Sequence, residues 1–571
     1  MATETTTKTH ESENAGSTHP DGTRRKLHGR AFYESIGSPK LILAPMVEQS
    51  EFAWRRLSRS FLPLSQQTNL LAYTPMFHSK MFGEKANYRD THFQPLKSAV
   101  PSPLDSYYVS QLPNSERHLD GNPAFDRPLT VQFCSNNPDD FLTAAKHVAP
   151  FCDAVDLNLG CPQGIAKRGK YGAFLQEDQD LIARMIRKLH EELDVPVTAK
   201  MRCLDTREKT LQYAQTLLNA GASIITVHGR RREQKGHNTG LADWTMIRYL
   251  RDNLPKDTVI FANGNILQHE DIAACLEATG ADGVMSAEGN LYDPTIFSEP
   301  PPVGQEGREY WRGRDGKGGY RVDAVFRRYM DIIHKYALGQ EPPQRKPLWM
   351  PGEPEESLQE QNGDEDEDGP PKKKQKQMSK AEKKKEKASN PNLTAMQAHL
   401  FHLLRPLVSE HHNVRDALAK SRTGDIEAFE NVLTLTEKAV KEGIMKYEEE
   451  HVNGTTGPTQ PANTEGIPEL AQNLDPYESS LATVARCKRP YWVCQPYVRP
   501  LPKEALEKGS MTVSKKEKKR LELEAEQAAK KAEAETKAVG LAPGGRVEKT
   551  NLQHGGNIEV VGEAKDGLVC G

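Results

Sequence analysis

The chain has 571 residues, enough for two or three domains and a large core. Charged residues make up 27% and the formal net charge is only −3, so bulk charge demands neither a nucleic acid nor a membrane surface. Eight cysteines at irregular spacing do not read as a disulfide framework, and no apolar run approaches the roughly 20 residues of a membrane span. An intracellular protein of the cytoplasm or nucleus, with no membrane contact, is the expectation.

Residues 1–37 are polar, carry acidic residues and lack an apolar core segment; they read as a disordered arm rather than a secretory signal. From residue 41 short β-rich runs alternate with amphipathic stretches. The runs are "LILAPM" (41–46), "LLAYTPMF" (70–77), "LTVQFC" (129–134) and "AVDLNLGC" (154–161). Four more follow: "VPVTAKMR" (195–202), "SIITVHGR" (223–230), "VIFANGN" (259–265) and "GVMSAEG" (283–289). Each is nearly continuously apolar, as strands buried on both faces of a parallel sheet are. Between them "DDFLTAAKHVA", "DLIARMIRKLHEEL" and "TLQYAQTLLNAG" have helical periodicity, the last ending on Gly221 as a helix C-cap would. Eight such units predict an α/β fold, a (β/α)8 TIM barrel over residues 38–305. The large irregularity, residues 78–128, follows the second strand.

The polar residues fall in one place. Glu48, Gln132, Asn158, Cys161, Lys200, Arg202, His228, Arg230, Asn263 and Asn265 all sit at or just past the C-terminal end of a run. One polar residue at a strand end means little. Six strands delivering amides, a thiol, a lysine and a histidine to one barrel rim mean a site. His228 alone reads equally as a core histidine; beside Arg230 and across from Lys200 it reads as a ligand.

No GxGxxG follows a strand and opens a helix, so no Rossmann domain is visible, and the glycines of "GRDGKGGY" (313–320) read as loop. Lysine and histidine on adjacent strands, with carboxamides on others, suit a flavin. Carboxamides pair with the pyrimidine edge of its ring, an ammonium stabilises the anionic reduced form, and late-strand loops take its phosphate.

"APMV" (44–47), "DLNLGCPQ" (156–163), "KRGKYGAFL" (167–175), "AKMR" (199–202), "VHGRRREQKG" (227–236) and "ANGNI" (262–266) together resemble the tRNA-dihydrouridine synthase family over residues 38–300. The resemblance implies FMN-dependent reduction of uridine in tRNA, with NADPH or NADH as the hydride source. Carried over motif by motif, Pro45, Met46, Val47, Gln132, Lys200, His228, Asn263, Gly264 and Asn265 would bind FMN, and Cys161 would donate a proton. One departure stands out: where many relatives have Gly-Arg after the eighth strand, this chain has Ala287-Glu288. A carboxylate cannot replace arginine as a phosphate ligand, which leaves the backbone N–H groups of Ala287 to Gly289 for that contact.

The chemistry explains why a thiol stands at a strand exit. The C5=C6 bond of uracil is conjugated to the C4 carbonyl, so hydride adds at C6 and the enolate needs a proton at C5, from an acid opposite the flavin. An ordinary thiol, pKa about 8.5, is protonated at neutral pH and can be that acid. Gly160 leaves room for the ligands and Pro162 ends the strand ladder. Cys134, Cys152, Cys203 and Cys275 lack the Gly-Cys-Pro setting and read as core.

Reaching C5 and C6 in a folded RNA requires extruding the nucleotide into a pocket. Lys167, Arg168 and Lys170 follow Cys161, and Arg230, Arg231, Arg232 and Lys235 follow the sixth strand, two basic loops suited to RNA phosphates. Asn158 and Arg202 complete the expected substrate contacts.

Beyond the barrel, "VDAVFRRYMDIIHKYAL" (322–338) is an amphipathic helix, continued in style by segments over 392–422 and 425–447. Residues 306–338 and 392–450 look like the family's small tRNA-gripping helical domain. His399, His402, His411 and His412 lack a completing carboxylate or cysteine pattern, so no metal is expected. Residues 339–391 hold "GDEDEDG" and a lysine-rich run and read as a disordered insert, in which "PKKKQK" (371–376) is a nuclear import signal or plain solvated linker. Residues 451–502 form a proline- and aromatic-rich extension; "RPYWVCQPYVRP" (489–500) resembles the tail of the branch acting on D-loop positions 16 and 17. Residues 503–571 are a charged tail, disordered or a single helix, and the protein is expected to be a monomer. Two rival readings remain: an FMN barrel acting on a free pyrimidine, and a catalytically idle RNA-binding protein.

Overall fold

The computed structural model describes residues 26–100, 102–353, 390–452 and 479–507. The apolar runs form parallel strands β1 (Leu41–Leu43), β2 (Leu70–Tyr73), β3 (Phe77–His78), β4 (Leu129–Cys134) and β5 (Ala154–Leu159). They continue with β6 (Val197–Arg202), β7 (Ile224–His228), β8 (Val259–Asn263) and β9 (Gly283–Ser286). The order is β2-β1-β9-β8-β7-β6-β5-β4-β3, and a β2–β4 pairing closes the barrel. Every residue of β4 to β8 is buried, which is why these strands lack a polar face. The second expected run breaks at Pro75, which cannot donate to a ladder, leaving β3 as a two-residue pairing on β4.

Helices Pro138–Val148, Gln179–Glu192, Arg207–Asn219 and Trp244–Asn253 start where Asn137, Asp178, Thr206 and Asp243 cap first-turn N–H groups. Gly221, at φ +107°, follows the third of these; a Cβ there would lie 2.4 Å from His190.

The expected arm over residues 1–37 is partly wrong. Gly29–Ser35 is a helix with Phe32 and Tyr33 buried, and Tyr33 Oη donates to the carbonyls of Pro39 and Asp282. Two adjacent aromatics in a polar stretch supply the apolar surface that fastens it.

The 78–128 insertion is tied to helix Phe52–Ser60 by buried charge. Arg55 contacts Asp126 (Nη2–Oδ2 2.6 Å) and Asp120 (2.8 Å), and Arg59 contacts Asp126 (2.8 Å). The helical region docks on the same helix. His399 stacks flat on Trp54, ring centroids 3.9 Å apart, and its Nε2 meets the Glu51 carboxylate at 3.0 Å. His399 is therefore an interface residue.

Residues 313–320, expected as loop, are the turn and second arm of a hairpin, β10 (Tyr310–Arg312) and β11 (Gly318–Tyr320). Glycine is needed there because a Cβ on Gly319 would lie 2.6 Å from Val493. The helix expected over 322–338 is present as Val322–Ile332, extended by a π-turn, Ile333–Ala337. The start of the expected disordered insert also packs. Leu348 is buried, and Arg308 and Arg321 donate to the carbonyls of Leu348 and Trp349. Residues 354–389, with "GDEDEDG" and "PKKKQK", lie outside the described residues, as do 1–25, 453–478 and 508–571. Among the described residues no helix is long and apolar enough to cross a membrane.

Candidate active site

Side chains alternate along a strand, so a period of two builds the barrel lumen. Gln132, Asp156 and Asn158, Lys200 and Arg202, His228 and Asn263 hold such positions, and all are buried. Register sets them side by side: Gln132 opposite Asp156, Asn158 opposite Lys200, Arg202 opposite His228, and His228 opposite Asn263.

A chain of hydrogen bonds runs from the lumen to the backbone of Cys161. Thr198 Oγ1 donates to Asp156 Oδ1 (2.6 Å) and Gln132 Nε2 to Asp156 Oδ2 (2.8 Å). Asn158 Nδ2 donates to Gln132 Oε1 (2.8 Å), while Asn158 Oδ1 accepts from the backbone N–H of Gly160 (3.1 Å) and Cys161 (2.9 Å). Burial pushes Asp156 up to about 6, against the pull of Thr198, Gln132 and Lys200. At neutral pH it is therefore ionised and can only accept, which dictates the polarity of every amide beyond it.

Other elements fix the loop after β5. Arg202 Nε donates to the Gly160 carbonyl (2.7 Å), Ala173 N–H to that of Cys161 (3.1 Å) and Lys235 Nζ to that of Pro162 (2.7 Å). Gly172, at φ +64°, must be glycine, since a Cβ would lie 2.8 Å from the Cys161 carbonyl oxygen. Cys161 itself is 1% exposed. Cys134, expected as inert core, is also at this rim; burial and then the nearby Cys161 push its thiol up. Its signal was available, because it stands two residues past Gln132 on the same strand face.

On the other side of the barrel, Lys200 Nζ donates to Asn263 Oδ1 (3.0 Å) and Asn263 Nδ2 to the Met285 carbonyl (3.0 Å). Arg230 spans the β7 exit: Nε donates to the Gly240 carbonyl, Nη2 to Asn265 Oδ1 (2.9 Å), and Nη1 lies 3.1 Å from His228 Nε2. Because arginine only donates, His228 Nε2 accepts, and the ring proton sits on Nδ1. Burial, then Arg202, Arg230 and Lys200, hold His228 well below its ordinary 6.5, so it is neutral. Among the described residues its buried Nδ1 has no hydrogen-bond partner. Gly264 (φ +114°) and Asn265 (φ +65°) form the tight turn alongside; a Cβ on Gly264 would lie 2.5 Å from Ala242. Pro45 and Met46 are buried and Val47 half-buried after β1, where Ser50 Oγ accepts from Met46 N–H.

The residues expected to bind substrate divide. Lys167, Arg168, Lys170 and Arg231 are exposed at the mouth, while Asn158 and Arg202 are buried and hold the Cys161 loop. Arg232 is neutralised by Glu177 and Glu233 and lies over Phe174. Ala287 is buried at the end of β9, and Glu288 is paired with Arg499, a residue that sequence reasoning missed because it lies 211 positions away.

Two observations test the fit of a flavin. The buried Nδ1–H donor of His228 lacks an acceptor, and flavin offers several. Gly160 has room its own fold does not use, since a Cβ would meet nothing nearer than 3.7 Å. The residues fit the group.

Fold and rim together define a (β/α)8 barrel enzyme. The family model described as dihydrouridine synthase (Dus) matches residues 42–309. The chain is 40% identical over 478 residues to the tRNA-dihydrouridine(16/17) synthase (NAD(P)(+)) of Schizosaccharomyces pombe, covering 84% of this chain and 92% of that one. It is 40% identical over 481 residues to the protein of the same name in Saccharomyces cerevisiae, covering 84% and 88%. It is 33% identical over 492 residues to a tRNA-dihydrouridine(16/17) synthase-like protein of Rattus norvegicus, covering 86% and 81%. The chain belongs to the dihydrouridine synthase family.

Proposed function

We propose that the protein reduces the C5=C6 bond of uridine in tRNA to 5,6-dihydrouridine, at D-loop positions 16 and 17, with NADPH or NADH as the source of hydride. The observation that carries this reading is the thiol of Cys161, whose loop is fixed by Asn158, Arg202, Ala173 and Lys235 beside a rim of amides, a lysine and a neutral histidine.

FMN is the cofactor of this reading, held by Gln132, Lys200, His228, Asn263 and the turn at Gly264 and Asn265, with Pro45 to Val47 against it. Bound FMN supplies hydride transfer to C6 of the base. Lys200 would hold the ring and supply a positive charge beside it. His228 Nδ1 donates a hydrogen bond and, being neutral, adds no second charge. Cys161 gives its proton to C5, and the hydrogen bonds to residues 160–162 fix the loop that carries it. Lys167, Arg168, Lys170 and Arg231 meet the RNA backbone around the extruded nucleotide.

The test is anaerobic incubation of the protein and NADPH with unmodified tRNA, followed by mass analysis of nuclease fragments. A gain of two hydrogens in the D-loop fragment, absent with Cys161→Ala, is the expected result. Flavin binding and NADPH consumption without that gain would overturn the substrate, and activity on free uracil in its place would favour a free pyrimidine.

A further inference from the structure

Residues 479–507 are fastened to the barrel by three arginine–carboxylate pairs. Arg486 Nη1 lies 3.0 Å from the buried Asp271, and Arg489 Nη1 lies 3.4 Å from Asp293. The third pair is two-pronged: Arg499 Nε stands 3.0 and 3.1 Å from the two Glu288 oxygens, and Nη2 stands 2.7 Å from Oε1. Beyond it, helix Pro502–Glu507 packs on the turn Gly236–Asn238, and Pro502 touches the place a Gly240 Cβ would fill. The Gly240 carbonyl is the acceptor for Arg230 Nε. Arg499 is thus paired with the residue second after β9 and stands three residues before a helix that packs on the loop leaving β7.

Glu288 pairs with Arg499 and acts on Arg230 only through space: burial and then Arg202 disfavour the charged form of Arg230, Glu288 favours it and Arg499 opposes it. Arg230 reaches Asn265 and His228, so this strip of charge adjoins the proposed flavin rim. The Glu288 pair occupies the Nε and Nη2 edge of Arg499; among the described residues its Nη1 makes no hydrogen bond. An arginine carries five N–H donors in a planar fork, so one edge can stay on a carboxylate while the other takes a phosphate oxygen.

We propose that Arg499 is a ligand of the FMN phosphate, delivered to the barrel mouth by the chain's own C-terminal extension and aimed by Glu288. The inference rests on the flavin reading above. It replaces the contact that Glu288 cannot make itself, and it explains why a carboxylate stands at that position: it orients the arginine. The flavin phosphate is favoured over an RNA phosphate because Arg499 belongs to the β7–β9 side with Arg230 and Asn265. Of the exposed basic residues that suit RNA, Lys167, Arg168 and Lys170 are on the loop after β5, and only Arg231 follows β7.

The experiment titrates full-length apoprotein with FMN and, separately, with riboflavin, which lacks only the phosphate, following flavin fluorescence. Arg499→Ala should weaken FMN about tenfold or more and leave riboflavin unchanged, with Arg499→Lys in between and thermal melts checking that each variant is folded. Equal loss of both flavins, or of neither, would overturn the inference, the first pointing to a structural role. Unchanged flavin binding with weakened tRNA binding would also overturn it and assign Arg499 to RNA. A wild-type protein that binds riboflavin and FMN alike would overturn any phosphate site, and one that binds neither overturns the flavin reading itself.

Discussion

Asn158 Oδ1 accepts the backbone N–H of Cys161 at 2.9 Å, and that of Gly160 at 3.1 Å, so one strand side chain sets the backbone of the residue proposed to donate the proton. The same amide is oriented in turn by Gln132 and, through it, by the buried Asp156. The backbone of Cys161 is thus tied to the barrel lumen.

Asn158→Leu keeps the volume but removes both contacts. The kcat for dihydrouridine formation should fall about a hundredfold, the cost of a displaced reacting group, while the KM for tRNA stays close to wild type. Steady-state kinetics with unmodified tRNA separate the two. A fall in kcat/KM carried entirely by KM would instead make Asn158 a substrate-binding residue.

Asp156 titrates at about 6 in the folded protein, above the ordinary carboxylate value of 3.8, because burial disfavours its charge. The folded state therefore binds its proton more tightly than the unfolded one. Stability from this group is fully present below about pH 4, is lost as pH rises toward 6, and is constant beyond. Asp156→Asn cannot titrate. The stability of wild type relative to the variant should fall between pH 4 and 6 and then level off, as urea unfolding at several pH values will show.

His228 is neutral because burial and three neighbouring cations hold its pKa well below 6.5. Flavin affinity should be flat from pH 6.5 to 8 as far as this ring is concerned, and weaken only under more acidic conditions. His228→Phe removes the Nδ1–H donor and should weaken flavin about tenfold, read by fluorescence titration.

Trp54 and His399 join the barrel to the helical region face to face. Trp54→Ala should cost about 3–5 kcal/mol, the usual range for a buried tryptophan. His399→Ala leaves Glu51 buried without its partner, at a cost of about 3–5 kcal/mol. Chemical unfolding measures both, and because the two rings touch, the double variant should lose less than the sum.

Much of this was readable beforehand. Eight apolar runs specified the barrel because strands buried on both faces have no other composition, and the capped helices between them left one closed arrangement. The rim residues were legible because strand ends in a parallel barrel share one side. Phe32 and Tyr33 defeated the reading of a disordered arm, since two aromatics are too few to show a period yet enough to anchor a helix of about two turns. Pro75 was a visible warning that the second run would break. The glycines at 313–320 looked like loop because what they accommodate, Val493, lies in a distant segment.

By itself the sequence determined the barrel, the ring of polar residues at its mouth and the place of the thiol, all of which follow from local periodicity and strand ends. Only the tertiary structure decided how those residues are used. It showed that Asn158 and Arg202, expected as substrate contacts, hold the Cys161 loop, and that His399, one of four histidines noted beyond the barrel, stacks at an interface. It also brought Arg499 to Glu288 across 211 positions. The physical reason is directional. A hydrogen bond or ion pair depends on which atoms meet, at what distance and with which edge already occupied, and none of that is written in periodicity.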